Sequence, residues 1–298
     1  MLHYRKEAAM NTFKMVKVFL TSIDSGSFTR AGEILGYTQS NLTQMMKSFE
    51  DELGIPLLIK TKKGVEPTSE AKMLIPAMRS MIAQEERFLQ EADEIRGIHR
   101  GSIRIGSYVS TSSTWLPQVI GYYQREYPEV EFNIVESGQE EMLRGLLAGD
   151  LDLALMSAPE NNEVDFIPIL EDPMVVVFPP DHVLAEYDYV PLNELKGHPL
   201  IMTYREYDTD ANKILFDAGL ESFVKYRSKD DFAVLAMVQH GLGISILPKL
   251  TLERFPGSYE YRMLDPESYR SLGIGIRSIK GAGPLARSVI NYIKENIR

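Results

Sequence analysis

The segment GSFTRAGEILGYTQSNLTQMMKSFEDELG, residues 26–54, constrains the fold of this chain more than any other segment does. Ser27 and Thr38 are residue types that cap helix N-termini, and Gly36 and Gly54 are typical of helix C-termini. Between these signals, apolar residues recur at helical spacing. We expect the buried positions to be Phe28, Ala31, Ile34 and Leu35 in one helix, and Leu42, Met46, Phe49 and Leu53 in the next. An earlier helix is predicted over residues 13–23, with Val16, Phe19, Leu20 and Ile23 buried, and the whole pattern predicts a helix-turn-helix.

The later helix of this motif exposes amides and hydroxyls, whereas a merely solvated helix usually carries Glu and Lys. Amide and hydroxyl groups hydrogen-bond to base edges in the major groove of DNA, where the first residues of such a helix lie. The candidate base-reading residues are Gln39, Ser40, Asn41, Thr43 and Gln44. We expect Lys47, and Thr29 and Arg30 at the start of the preceding helix, to contact DNA beside them.

The sequence IPLLIKTKKGV, residues 55–65, predicts a small hairpin after the third helix. Its apolar stretches flank Lys60, Lys62 and Lys63, so that ammonium groups lie at the tip. Such groups suit the phosphate backbone, where they contribute affinity but little sequence choice. We therefore expect these three lysines to hold phosphates. A purely structural hairpin is the alternative.

The charge of the chain is unevenly distributed. Residues 1–65 contain nine basic and six acidic side chains, a net of +3, in a chain whose total is −10, which leaves −13 for the remainder. Such asymmetry is typical of a chain in which one domain binds the phosphate groups of nucleic acid. A solvated face of mixed charge is the alternative interpretation of the same numbers.

The segment FLTSIDSGSFTRAGEILGYTQSNLTQMMKSFEDELGIPLLIKT resembles the winged helix-turn-helix of LysR-type transcriptional regulators. The resemblance runs from about Met10 to the C-terminus, and it implies a DNA-binding domain over residues 10–67. The chain departs from the family pattern at Gly32, where a second Ala is usual, and at Phe49, Leu58 and Lys60.

Residues 68–97 resemble the linker helix of that family. The apolar positions follow alternating steps of four and three, with Glu85 at the one seam position that is not apolar. They are Leu74, Met78, Met81, Phe88, Ala92 and Ile95. We expect this seam to form a homodimer, or part of a homotetramer. A helix packed on its own domain is the alternative. Pro76 removes one helical hydrogen bond and is expected to bend the start of the helix.

After residue 97 the apolar period changes from that of helices to that of alternating strands and helices. Strands over 103–108, 130–135 and 151–156, with helices over 115–127 and 139–148, predict a parallel βαβαβ unit. A second α/β series spans 175–247, and 273–277 with 284–297 are expected to return to the first lobe. The resemblance implies a two-lobed effector domain, akin to periplasmic binding proteins, over 98–298. Its first lobe is expected at about 98–165 and 270–298, and its second at about 166–269.

A crevice between two such lobes is the expected ligand site. The run Val109 to Thr114 is predicted as a hydroxyl-rich loop before a helix that begins near Trp115, and a helix N-terminus favours an anion. We therefore expect a carboxylate-bearing metabolite, although the same hydroxyls are ordinary helix caps. The resemblance implies effector contacts from Ser110, Thr111, Ser112, Ser137, Ser157, Met202, Thr203 and Tyr204. Trp115 and Tyr204 are expected as apolar walls, and Arg205 as a possible added charge.

Composition excludes several other functions. No run of about 18 apolar residues and no signal-peptide pattern is present, so we expect no membrane partner and a cytoplasmic location. Without cysteine, and with the five histidines at no ligand spacing, we expect no metal and no cofactor. No nucleophile is paired with a base, so no catalytic residue is predicted. The predicted function is that of a ligand-responsive regulator of LysR type that binds double-stranded DNA. The alternative is a small-molecule sensor module without DNA binding, and an enzyme that uses the crevice comes third.

Overall fold

The computed structural model of the protein describes residues 2–61, 64–95 and 100–297. The chain divides into two units, Met1–Ala92 and Asp93–Arg298, and each has hydrophobic clusters of its own. Within the described residues, no helix is both long and apolar enough to cross a membrane.

Helix caps set the ends of the first helices, as the sequence predicts. The N-terminal unit contains α1 (Leu2–Ser25), α2 (Phe28–Leu35), α3 (Gln39–Leu53), β1 (Leu58–Thr61), β2 (Gly64–Pro67) and α4 (Ser69–Ile95). Ser27 and Thr38 each accept a hydrogen bond from a backbone N–H in the first turn of α2 and α3. Gly36 and Gly54 end these helices in the left-handed conformation, each at a φ of 72°. The antiparallel strands β1 and β2 form the predicted hairpin.

The core of the N-terminal unit corrects two burial predictions. Phe28, Leu42 and Phe49 are buried as expected, but the side chain of Ile34 is 67% exposed and that of Leu53 is 41% exposed. Ile34 lies roughly 110° around α2 from the centre of its buried face, because a helix turns about 100° per residue. Leu53 is the last residue of α3, and beyond the turn that follows it the buried Leu57 fills this end of the core.

The first lobe of the C-terminal unit is built around the predicted parallel βαβαβ arrangement. Its elements are β3 (Gly101–Ser107), α5 (Val109–Thr114), α6 (Leu116–Glu126), β4 (Val130–Glu136), α7 (Gln139–Ala148) and β5 (Leu153–Ser157). Strand β3 lies between β4 and β5 and is parallel to both. The run Val109–Thr114 is a helix, although the sequence predicts a loop there.

Two long strands connect the lobes, and the sequence predicts only their ends. Strand β6 (Asp165–Phe178) pairs antiparallel with β11 (Glu260–Ile276) along nearly its whole length. Polar residues and prolines in the middle of both strands interrupt the apolar pattern, which is why only residues 175–178 and 273–277 are predicted. Near the middle, Asp172 is the register partner of Arg270.

The second lobe completes the unit. Its elements are β7 (Tyr189–Pro191), β8 (Leu200–Thr203), α8 (Thr209–Asp217), β9 (Val224–Ser228), α9 (Asp231–Gln239), β10 (Ser245–Pro248) and α10 (Lys249–Leu252). The larger sheet has the order β10-β6-β11-β5-β3-β4, with β7 beside β11, and therefore extends through both lobes. Strands β8 and β9 form a separate parallel pair. The last helix, α11 (Pro284–Asn296), packs Val289 and Ile293 into the core of the first lobe, as predicted.

Candidate functional site

A polar surface on α3 is the first candidate site. A shallow concave surface is lined by Gln39, Ser40, Thr43, Gln44 and Lys47. The opposite face of α3 is buried through Leu42, Met46 and Phe49, so the core fixes which face of the helix is presented. The structure thus places most of the predicted base-reading residues on one surface.

The side chains of this surface differ in how far they are already hydrogen-bonded. Thr43 Oγ1 donates to the carbonyl of Gln39 at 2.9 Å, and Ser40 Oγ lies 3.1 Å from Thr38 Oγ1. By contrast, the side-chain amides of Gln39, Asn41 and Gln44 make no hydrogen bond with any described residue. Asn41 and Gln44 are exposed. Both donors and acceptors of these amides therefore face solvent.

The remaining predicted DNA contacts lie beside this surface or outside the described residues. Thr29 and Arg30 are exposed in the first turn of α2. Lys62 and Lys63 lie outside the described residues, as does the side chain of Lys60, whose backbone belongs to β1.

Glu50 links the hairpin to α3 through hydrogen bonds, a role that the sequence does not indicate. Its Oε1 accepts hydrogen bonds from the backbone N–H groups of Leu57 at 2.6 Å and Leu58 at 3.0 Å. On the other side, the N–H of Val65 donates to the carbonyl of Gly26 at 3.1 Å. These bonds fix the described strands of the hairpin relative to α3 and its polar surface.

Helix α4 packs partly on its own unit. Met78 is buried in the core of the N-terminal unit, with Leu74 against it, and Arg79 forms a 2.7 Å ion pair with Asp24 of α1. Further along the helix, the side chain of Phe88 is 68% exposed. The start of the predicted seam therefore contributes to the core of its own unit, while an apolar position near its end faces solvent.

The second candidate site is a cavity of about 590 Å³ within the C-terminal unit. It lies between the end of β3, the end of β4 and the starts of α8 and α9. Its lining residues are Tyr108, Val109, Ser110, Ser112, Ser113, Glu136, Ser137, Tyr207, Asp208, Lys229, Asp230, Asp231, Phe232, Pro248 and Arg270. Of the predicted effector contacts, it brings together Ser110, Ser112 and Ser137.

The other predicted contacts do not line this cavity. Thr111 is fully buried, and its Oγ1 lies 2.7 Å from Ser107 Oγ. Ser157 donates to a carboxylate oxygen of Asp210 at 2.5 Å. Met202 and Thr203 are buried in the second lobe, and Tyr204 is 39% exposed. Thr111 is turned away because α5 is a helix, which directs neighbouring side chains to different faces.

Two further expectations about this region are wrong. Trp115 is 4% exposed and belongs to the core of the first lobe, so it forms no wall of the cavity. Arg205 is exposed and is not among the lining residues. In addition, the hydroxyl of Thr114 donates to the carbonyl of Ser110 at 2.6 Å, and that of Ser113 to Val109 at 2.8 Å. These hydroxyls are thus bonded within the helix.

A buried ion pair lies at one side of the cavity, and sequence reasoning missed it. Arg270 and Asp172 are 4% and 2% exposed, and Arg270 Nη2 is 2.8 Å from Asp172 Oδ2. The guanidinium also donates to Ser110 Oγ at 3.0 Å, and its carbon lies 5.5 Å from the ring centre of Tyr108. The other Asp172 oxygen accepts from the N–H of Leu250 at 3.0 Å. This network joins α5, β6, β11 and α10.

Carboxylates dominate the ionisable groups of the cavity. Glu136, Asp208, Asp230 and Asp231 line it, against two cationic side chains. Removal from water, together with the negative charge of Asp210, raises the pKa of Asp208 to about 7. Removal from water likewise raises the pKa of Asp231 to about 6; the charge of Arg270 opposes this shift, and the charge of Asp230 adds to it.

Two of these carboxylates also begin helices. Asp208 Oδ1 accepts from the N–H of Ala211 in α8, and Asp230 Oδ1 accepts from the N–H of Phe232 in α9, each at 2.9 Å. The ammonium of Lys229 lies 5.4 Å from the ring centre of Tyr207. In the described part of the chain, no group of three or more His, Asp or Glu side chains is placed to hold a metal ion.

Two family models match this chain, one over each of its two parts. The family described as "LysR substrate binding domain" matches residues 96–298, and "Bacterial regulatory helix-turn-helix protein, lysR family" matches residues 13–72. The uncharacterised HTH-type transcriptional regulator YvbU of Bacillus subtilis (strain 168) is 27% identical over 287 residues, which is 95% of this chain and 98% of that protein.

Solved structures show the same fold. A variant of full-length OxyR from Pseudomonas aeruginosa has a TM-score of 0.75 at 21% identity, and covers 93% of this chain and 92% of its own. The effector binding domain of QuiR, solved in complex with shikimate, has a TM-score of 0.59 at 18% identity, over 67% of this chain and all of that one.

Proposed function

Because this chain belongs to the LysR family of DNA-binding transcriptional regulators, we propose that α3 reads a specific duplex sequence and that occupation of the cavity changes this binding. The chain has the two parts that such a regulator requires, a helix-turn-helix and an effector-binding domain. Members of the family are not enzymes.

The observation that carries the DNA-binding proposal is the set of unbonded amides on α3. An amide that lacks an internal partner can form two hydrogen bonds to one adenine, whereas a bonded hydroxyl must first give up its present partner. We therefore assign base reading mainly to Gln39, Asn41 and Gln44, with Ser40 and Thr43 in support. Thr29, Arg30, Lys47, Lys60, Lys62 and Lys63 are proposed to contact phosphates. We propose that residues 10–67 form the DNA-binding domain.

The effector is proposed to occupy the cavity that Ser110, Ser112 and Ser137 help to line. Its residues come from both lobes of the domain proposed for residues 98–298, so a ligand there would contact the two lobes at once. A change in their arrangement then gives the ligand different affinities in two states, which any ligand response requires.

The anionic effector expected from the sequence is supported by Lys229 and Arg270, both of which line the cavity. Against an anionic effector, Arg270 already binds Asp172, and α5 has only six residues. The remaining charged groups of the lining are carboxylates, which favour a cationic ligand.

We also propose that two copies associate through the linker helix, residues 68–97, and that the protein works in the cytoplasm, where it meets DNA. The exposed Phe88 supports association, because an apolar side chain at a seam position would be covered by the same helix of a second copy. A dimer would present two α3 helices to two half-sites.

Selection from random duplexes tests the function. The full-length protein is incubated with a pool of random DNA, bound duplexes are recovered, and their sequences are compared after several rounds. We expect a shared sequence with two related halves. A protein that shifts no duplex even at low salt, yet binds small molecules, would instead be the sensor module without DNA binding.

A further inference from the structure

We propose that the cavity takes a cationic effector, an amine or a guanidine, rather than a carboxylate. This inference rests on the proposed role of the cavity as the effector site, and it names the ligand class of that site. Three features of the cavity favour a cation: the charges that line it, the way in which these charges are already paired, and the aromatic rings beside them.

The first step is the charge balance of the lining. Four carboxylates, those of Glu136, Asp208, Asp230 and Asp231, line the same cavity as two cationic groups. One of the two, Arg270, is paired with buried Asp172, although its charge also acts on Asp208 and Asp231, so two cationic groups face five carboxylates in all. A carboxylate ligand would therefore approach an excess of negative charge, whereas an ammonium or guanidinium would be attracted to it.

The second step is that part of this polar lining has no partner within the protein. Asp231 makes no hydrogen bond or ion pair with a described residue, although it lies close enough to Arg270 to be attracted by its charge and to Asp230 to be repelled. Ser137 Oγ is buried and likewise lacks a hydrogen-bond partner in the described part of the chain. A polar group that is removed from water without a hydrogen-bond partner costs free energy of folding. The N–H groups of a cationic ligand would donate hydrogen bonds to the Asp231 carboxylate and to Ser137 Oγ.

The third step comes from the aromatic residues of the cavity. Both cationic side chains of the lining lie over rings, Arg270 at 5.5 Å from the centre of Tyr108 and Lys229 at 5.4 Å from that of Tyr207. Phe232 is 49% exposed on the same lining. Ring faces attract ammonium and guanidinium groups, and carboxylates beside aromatic walls are a common arrangement for their recognition.

Lys229 provides a test in which the two ligand classes give opposite results. Its ammonium is exposed and sits among these carboxylates, so it competes with a cationic ligand and assists an anionic one. Removing its charge should strengthen amine binding. Removing the charge of Asp231 should weaken it. For a carboxylate ligand, both effects would have the reverse sign.

The experiment uses the full-length protein and four probes of similar size. Two are cations, 1,4-diaminobutane and agmatine, and two are dicarboxylates, succinate and glutarate. Thermal melting at millimolar probe concentration finds which class stabilises the protein, and calorimetry measures its affinity. We expect stabilisation by at least one cation and by neither dicarboxylate.

The affinities are then measured for Asp231→Asn, Lys229→Gln and the control Asp217→Asn. Asp217 is an exposed carboxylate at the end of α8 and is not part of the lining. For the cation that binds, Asp231→Asn should weaken affinity about tenfold, Lys229→Gln should strengthen it several-fold, and the control should change it little.

The outcomes separate this inference from the proposed function. Stabilisation by a dicarboxylate, with affinity lost in Lys229→Gln, would overturn the cationic ligand and keep the cavity as the effector site. Failure of every cation to stabilise the protein would also overturn it. Neither result bears on DNA binding, which is tested by the duplex selection in the same preparation.

Discussion

The α3 surface and the cavity are both polar, but they recognise their ligands by different physics. The α3 surface presents neutral amides to solvent, where selectivity comes from the geometry of hydrogen bonds. The cavity presents partly buried charges, where selectivity comes from the sign of the ligand's charge. DNA binding by the α3 surface should therefore change when single bases are exchanged and change little with pH. Ligand binding in the cavity should change with pH and with the removal of single charges.

The largest expected effect is on the unfolding free energy, and it tests how much the buried ion pair beside the cavity stabilises the protein. Arg270→Gln removes one partner of an ion pair that is 4% and 2% exposed, and leaves Asp172 buried. Breaking such a pair costs about 3–5 kcal/mol of unfolding free energy. Chemical denaturation followed by circular dichroism measures this loss for the C-terminal unit.

The matched control is Lys213→Gln, because Lys213 forms a pair with Glu160 whose side chains are 65% and 87% exposed. Exposed pairs contribute little, so this change should have less effect than about 1 kcal/mol. Equal effects of the two substitutions would mean that burial of the Arg270 pair does not determine its contribution.

The next effect tests base reading at the α3 surface. Gln44→Ala should relax the preference at one base position by about 1–3 kcal/mol, because its exposed amide has no partner within the described protein. Competition binding with single-base variants of the selected duplex measures this preference.

Ser48→Ala serves as the control, since Ser48 is exposed on α3 outside the concave surface. Lys62→Ala should instead weaken all duplexes alike and lower the salt dependence of binding by about one ion. A uniform loss in Gln44→Ala, without a change in preference, would assign that residue to phosphate.

A smaller effect concerns pH, and it distinguishes the two sites directly. Raised pKa values leave Asp208 and Asp231 partly protonated near neutral pH, and a cation binds best when both are ionised. Amine affinity should thus rise about tenfold from about pH 5 to about pH 8. The charged groups that act on these two carboxylates are Asp210 and Asp230, which raise their pKa values, and Arg270, which lowers both.

Calorimetry at several pH values measures this dependence, and the relative preference among duplexes is measured in the same buffers. Base preference should stay constant, because the α3 amides do not titrate in this range. Amine affinity that falls as pH rises would contradict the assigned role of the two carboxylates.

How far each region could be predicted follows from where its residues lie in the chain. The α3 surface is contiguous, so helix caps at Ser27 and Thr38 and one helical period were enough to define it. Arg270 and Asp172 are 98 residues apart, and Arg270 is 160 residues from Ser110. No local pattern connects such positions, so the ion pair and the carboxylates of the cavity were not predicted.

Local propensity also misled the prediction at α5. A run of Ser and Thr favours caps and turns, because these hydroxyls compete for backbone groups. In α5 the hydroxyls of Ser113 and Thr114 instead donate to carbonyls of the preceding turn. The hydroxyls expected to bind ligand are therefore partly used within the helix.

A departure from the family pattern at Gly32 is explained by the structure alone, since a Cβ there would lie 2.5 Å from the carbonyl oxygen of Tyr37.

The smallest expected effect concerns stability, and it isolates the charge of one lining residue. Asp208→Asn keeps the cap of α8, because Asn caps helices as well as Asp does, but it removes the ionisable group. The pKa of Asp208 is about 7 in the folded protein, against an ordinary value of 3.8, so the folded state binds more protons between these values. The contribution of Asp208 to the unfolding free energy is therefore fully present below its ordinary pKa of 3.8 and is lost as the pH rises through about 7.

The substitution should therefore raise the unfolding free energy by about 1 kcal/mol near pH 8, since one pKa unit corresponds to roughly 1.4 kcal/mol and solvent screening reduces the full shift. Near pH 4 it should have almost no effect, because the carboxyl is then neutral in the folded protein. Denaturation at both pH values measures the difference. A gain of the same size at both pH values would show that packing or the cap, rather than charge, separates Asp from Asn at this position. The contrast between a cavity that selects by charge and an α3 surface that selects by amide hydrogen bonds would then lose one of its supports.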